Sequence, residues 1–256
     1  MKYPSDVLPQ AIVFDMDGTL VDSERLQLQC FMETTGKYGF DAREELYLQC
    51  IGATGAVART ILVDAYGPEF PLAEVLADWR VRYEELLASN ALQLKAGARL
   101  MLETATNQGI PCGLATQTRR ALTKKKLRLT GVLDYFDALV TGDEVRRGKP
   151  DPEHYVVAAA RLGVAPQTCW ALEDSENGVR SALGAGCRVY QIPDLVPVST
   201  SVSLLGQTVL SSLVDVVRSE EHTSELQSLV NLVCRLLLEK KNKEHIGSAS
   251  RQHHQN

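Results

Sequence analysis

Five apolar runs of strand length, at 11–14, 112–115, 138–140, 169–172 and 188–192, punctuate this chain. Between the later ones lie helical stretches at 97–108, 119–130, 152–162 and 176–185. Strand and helix in alternation argue for an α/β fold, a doubly wound parallel sheet with helices on both faces. Sheets of this kind bind ligands beyond the carboxyl ends of their strands. Asp15 and Asp17 follow the first run, Thr116 the second, and Glu173 and Asp174 the fourth. The pattern therefore draws four acids and a hydroxyl into one site.

The first of these strand ends is the most informative. Ala11-Ile-Val-Phe14 stops abruptly in Asp15-Met-Asp17, and Gly18 opens a turn. Carboxylates this close repel, and each disfavours ionisation of the other. A cation between them, or a division of labour as nucleophile and acid, resolves the conflict. Further along, Asp151 followed by Pro152 reads as a helix N-cap with Pro at N1, and Ser175 as the cap of the next helix.

Asp15-x-Asp17-Gly-Thr-Leu-Val-Asp22 resembles the first motif of the haloacid dehalogenase (HAD) superfamily of phosphotransferases, and three further motifs follow in the family's order. Leu114-Ala-Thr116 is similar to the second, Gly148-Lys149-Pro150-Asp151-Pro152 to the third, and Trp170-Ala-Leu-Glu173-Asp174-Ser175-x-Asn177-Gly178 to the fourth. The resemblance runs from about Gln10 to Val217. It implies a Rossmann-like core made of residues 10–21 and 92–217, with an inserted α-helical cap at 22–91. The helical patterns at 24–38, 56–66 and 72–90 fit such a cap, with turns at Gly52, Gly55 and Gly67. Gly55 and Gly67 read as helix termini. The resemblance places Gly52 and Gln27 where a cap selects substrate.

The same resemblance implies a mechanism. Asp15 is the nucleophile that forms an aspartyl-phosphate, and Asp17 the acid that protonates the leaving alkoxide and then activates water. Thr116, Lys149 and the backbone N–H groups around Met16 hold the phosphoryl oxygens. Mg²⁺ is the natural cation for hard oxygen ligands. Asp15, Asp174 and the backbone carbonyl of Asp17 are its candidate ligands, with Glu173 close by. The expected activity is a Mg²⁺-dependent phosphatase acting on a small phosphorylated metabolite, a sugar phosphate or a nucleoside monophosphate. Asp17 argues against a dehalogenase, whose leaving group needs no acid. A sugar phosphomutase of the β-phosphoglucomutase type is the alternative. It is disfavoured because Gln27 and Gly55 stand where such mutases carry histidine and arginine. A non-catalytic phosphometabolite-binding protein is more remote still.

Composition narrows the field. The chain has 256 residues and is 45% hydrophobic, ordinary for a globular protein. It carries net charge −5 without an extended basic patch, which argues against a nucleic acid polymer as partner. No apolar run reaches the ~18 residues of a membrane span, and the N-terminus lacks a signal-peptide centre. Six cysteines without CxxC spacing read as reduced thiols of a cytoplasmic protein. Four of the five histidines lie at 222 and beyond, leaving His154 and no set for a histidine-based zinc site.

Residues 218–243 resemble, on back-translation, a sequencing-library adapter split by a short index. The segment 218–256 is therefore read as a non-native tail, despite its amphipathic pattern. Four other features are read as structural. Lys124-Lys-Lys126 is expected to be a solvated helix face, Trp79 and Tyr83 packing residues of a cap helix, Arg119-Arg120 exposed, and Leu127, Leu129 and Val132 core.

Overall fold

The structure, a computed structural model, describes residues 8–51, 55–200 and 202–219. By compactness the chain divides into Pro9–Asp215 and a second unit of Met1–Leu8 with Val216–Asn256. Everything below concerns the first. Gly52 and residues 220–256, where most of the adapter-like tail falls, lie outside the described residues.

Six strands form one parallel sheet: β1 (Ala11–Phe14), β2 (Cys112–Ala115), β3 (Ala138–Val140), β4 (Cys169–Glu173), β5 (Arg188–Gln191) and β6 (Thr208–Val209), in the order β3-β2-β1-β4-β5-β6. The first five follow the apolar runs almost residue for residue. A parallel strand covered by helices on both faces must be apolar throughout, and β1, β2 and β4 are buried at every position. β6, two exposed residues, carries no such signal and was not anticipated.

Register then decides function. Phe14 lies opposite Leu114 on one side and Leu172 on the other. The residues that follow these three therefore emerge at the same edge of the sheet, with the chain reversal of β1 at its centre.

Helices α5 (Ala98–Asn107), α6 (Arg120–Leu129), α7 (Glu153–Arg161) and α8 (Glu176–Ala185) connect the strands. The Ser175 hydroxyl accepts from the Gly178 N–H at 3.2 Å, the cap expected for α8. Asp151 Oδ1 accepts from the Glu153 N–H at 3.1 Å, but Pro152, expected at N1, takes the N-cap position of α7, one residue later than the sequence pattern places it.

Between β1 and α5 stand four helices: α1 (Ser23–Lys37), α2 (Glu44–Cys50), α3 (Gly55–Tyr66) and α4 (Leu72–Ala88). Three match the sequence patterns within two residues at each end. The short α2 was not anticipated. Gly55 opens α3, and Gly67 follows its last residue with φ +83, a left-handed turn that favours glycine. These helices share a core of Phe31, Leu46, Tyr47, Leu62, Phe70 and Val75, distinct from the cluster of Val13, Ala171, Tyr155 and Val179 beneath the sheet. Trp79 packs against Phe31 and Tyr47, with ring centroids 5.6 and 6.0 Å away, as a packing residue should. Leu127 and Val132 are fully buried, and Leu129 partly.

Among the described residues, no helix is long and apolar enough to cross a membrane. The five described cysteines are free thiols, four of them buried.

Candidate active site

The Asp15 N–H still donates to Leu172 O at 2.9 Å, so the chain leaves the sheet one residue later. The carbonyl of Met16 accepts from the N–H groups of both Leu20 and Val21, closing a tight turn. The Met16 side chain is fully buried, so only its backbone can meet a phosphate. Gly18 sits at φ +85, and a Cβ there would overlap the Asp174 carboxylate. Only glycine lets the β1 turn and the β4 terminus approach this closely.

Asp15, Glu173 and Asp174 bring carboxylate oxygens within 4.8 Å of one another. Lys149 is buried among them, its Nζ 2.5 Å from Asp15 Oδ1 and 2.5 Å from Glu173 Oε1. Tyr155 donates to the same Glu173 oxygen at 2.6 Å. One lysine among three acids leaves net negative charge. Burial, reinforced by the neighbouring acids, holds the Asp15 and Asp174 carboxyls well above the usual carboxylate range. Burial would lower Lys149, yet Asp15 and Glu173 outweigh it and keep the ammonium charged. An all-oxygen set that becomes negative as its protons leave suits a hard divalent cation. Asp17 does not contribute its carboxylate to this set; its backbone carbonyl is what it can offer.

The Asp17 carboxylate faces three other donors. Oδ1 accepts from Ser23 Oγ and from Lys126 Nζ, each at 2.5 Å, and Oδ2 from Thr118 Oγ1 at 2.6 Å. Burial would raise its pKa, but Lys126 and the two hydroxyls outweigh this and hold it below the ordinary value. This corrects the reading of Lys124-Lys-Lys126 as a solvated face: Lys126 is 2% exposed. Thr123, Lys126 and Leu127 form the buried stripe of α6. Arg120, half-exposed and paired with Glu144 at 2.8 Å, stays outside the cluster, and Arg119 is exposed.

A pocket of about 250 Å³ joins the two groups, lined by Asp15, Asp17, Thr116, Lys149 and Asp174 with Thr118 and Glu24. The Thr116 hydroxyl accepts from the Thr118 N–H at 3.1 Å. Gln27 does not line this pocket; it accepts from Trp79 Nε1 at 2.7 Å. Glu24, nearly one turn earlier on α1, does line it, and Tyr47 of α2 donates to its carboxylate at 2.6 Å. Glu24 lies two residues beyond the Asp15–Asp22 motif, and nothing in the sequence pattern assigned it to the site.

Residues 12–192 match the model of the haloacid dehalogenase-like hydrolase family. The chain belongs to this family. A phosphorylated carbohydrates phosphatase of Thermotoga maritima is 33% identical over 187 residues, 72% of this chain and 85% of that protein. Hexitol phosphatase A of Escherichia coli is 31% identical over 184 residues, 72% of this chain and 82% of that one. The crystal structure of CbbY from Rhodobacter sphaeroides in complex with phosphate superposes with a TM-score of 0.66 at 28% identity. It covers 82% of this chain and 96% of that chain. The HAD-like chain is thus an enzyme, a phosphoric monoester hydrolase. Its strand ends bring Asp15, Thr116 and Asp174 to one edge of the sheet, with Lys149 beside them.

Proposed function

We propose that the enzyme hydrolyses a small phosphorylated metabolite, a sugar phosphate or a nucleoside monophosphate, through an aspartyl-phosphate, with Mg²⁺ as cofactor. One observation carries this reading. Two aspartates two positions apart face one pocket with opposite partners, Asp15 against Lys149 and Asp17 against Lys126.

Phosphoryl transfer asks for an in-line nucleophile, a proton for the leaving oxygen and positive charge around the equatorial oxygens. An Asp15 oxygen attacks phosphorus while the P–O bond to the substrate breaks. In the substrate complex the negative charge of the phosphate raises the pKa of Asp17, which takes up a proton from solvent on Oδ2, beside the Thr118 hydroxyl, and passes it to the leaving alkoxide. Deprotonated by that step, Asp17 then takes a proton from the water that opens the aspartyl-phosphate, releasing inorganic phosphate and regenerating Asp15. Acid–base assistance of this kind contributes about 10²–10⁴ in rate. Thr116 and Lys149 steady the phosphoryl oxygens, and the backbone N–H of Met16 adds a donor. Asp15, Asp174 and the Asp17 carbonyl, with Glu173 behind them, would hold Mg²⁺, which would supply positive charge for a phosphate dianion to approach a carboxylate. Helices α1–α4, residues 22–91, serve as a cap that shields the pocket from water and shapes specificity. Free, buried cysteines support a cytoplasmic location.

The test is phosphate release from sugar, nucleoside and glycolytic phosphates, with and without Mg²⁺, with Asp15→Asn as control. Metal-dependent turnover lost in Asp15→Asn is the expected result. Isomerisation of glucose 1-phosphate without net phosphate release would make the enzyme a mutase.

A further inference from the structure

Lys126 lies outside all four motif segments, yet it is among the most buried charges in the molecule. Its ammonium sits 5.3 Å from the centroid of the Tyr83 ring, on α4, and 2.5 Å from Asp17 Oδ1. The aromatic face and the rest of the α6 stripe leave the long side chain little room to swing away. Ser23 donates to the same oxygen at 2.5 Å. A carboxylate in a turn is free to rotate about its last side-chain torsion, and either oxygen could then face a substrate. Here the two oxygens are unlike. Oδ1 is tied to a fixed cation and a buried hydroxyl, whereas Oδ2 meets only the Thr118 hydroxyl, and Thr118 lines the pocket.

We infer that Lys126 is a positioning residue: together with Ser23 it pins Oδ1 of Asp17 so that Oδ2 is the oxygen presented to the leaving group. The inference rests on the proposed phosphatase reading. It assigns Lys126 a role separate from that of Lys149, which touches Asp15 and Glu173 instead. Lys126 acts through Asp17 alone and contributes nothing to phosphate binding.

Leaving-group dependence distinguishes this role from a structural one. The ratio kcat/KM reports steps up to departure of the leaving group. An alkyl phosphate needs the proton from Asp17 at that stage, and an aryl phosphate with an acidic phenol scarcely does. Lys126→Met should therefore lower kcat/KM for an alkyl phosphate by about tenfold or more, while an aryl phosphate changes by less than about threefold. Asp17→Asn should show the same selectivity. Adding Lys126→Met to Asp17→Asn should cost no more than about twofold further, because the group being positioned is already gone. That double variant leaves no buried unpaired charge, whereas each single variant leaves one, so thermal melts of all three establish that they fold before their rates are compared. Equal losses on both substrates, no loss on the alkyl substrate, or a full additional loss in the Asp17→Asn background would each overturn the inference. A wild-type enzyme with no phosphate release on any substrate overturns the phosphatase reading itself, and this inference with it.

Discussion

Replacing Gly178 with alanine should damage the acid cluster from behind. Gly178 lies in the first turn of α8, directly against Glu173. A Cβ built there overlaps the carboxyl carbon and both oxygens of that acid. Restoring ordinary van der Waals separation takes a displacement of about 1.5 Å, of either the carboxylate or the helix. Glu173 has little freedom to give way. It is fully buried, with Lys149 at 2.5 Å and Tyr155 at 2.6 Å on one oxygen. Hydrogen bonds stretched by that much are largely lost. Overpacking costs about 1–3 kcal/mol and a lost charge-assisted bond about 1.5–3 kcal/mol, so a total near 4 kcal/mol is expected. For a chain of this size that lowers Tm by roughly 8–16 °C. Thermal melts and urea titration measure it, with phosphate release recorded on the same samples. Gly36→Ala is the control, because a Cβ at that position of α1 meets nothing within 4 Å. Filling an open helical glycine should stabilise by about 0.4–1 kcal/mol. Wild-type melting and activity in Gly178→Ala would refute the claim that Glu173 is rigidly held.

Three other outcomes follow from the same geometry. Lys149→Met leaves Asp15 and Glu173 without their shared cation, and stability in urea under chelator should fall by about 3–5 kcal/mol; an unchanged midpoint would contradict the ion cluster. Because burial raises Asp15 and Asp174 in the metal-free protein, Mg²⁺ must displace protons to bind. The Tm gain on adding Mg²⁺ should therefore be larger near neutral pH than near about pH 5, and an equal gain at both would count against these ligands. His154, on α7, has its pKa pushed down to about 4 by burial and by Lys149. Below about pH 6.5 the unfolded chain takes up a proton that the folded one refuses, so stability is full above that pH and drains as pH falls toward 4. In His154→Leu the slope of Tm against pH across that window should flatten, and a slope equal to that of wild type would rule His154 out.

What the sequence determined by itself was the scaffold and the first ring of chemistry. Parallel strands buried on both faces leave unbroken apolar runs, so β1 to β5 were legible without partners. Polar residues at the ends of such strands converge by register, which placed Asp15, Thr116, Glu173 and Asp174 together before any distance was known. Local caps were equally visible, since Ser175 bonds only three residues ahead.

The tertiary structure decided which charges face which. Lys126 and Asp17 lie 109 residues apart, and Lys126 stands in a run of cations that hydropathy assigns to solvent. Its burial depends on α4 supplying Tyr83 and on the β1 turn supplying a carboxylate, neither of which leaves a mark near position 126. Gln27 and Glu24 differ only by the rotation of α1 against α2 and α4. That packing gave the first to Trp79 and the second to the pocket. Periodicity fixes what is buried on a strand, whereas the partner of a buried ion is fixed only when separate elements meet.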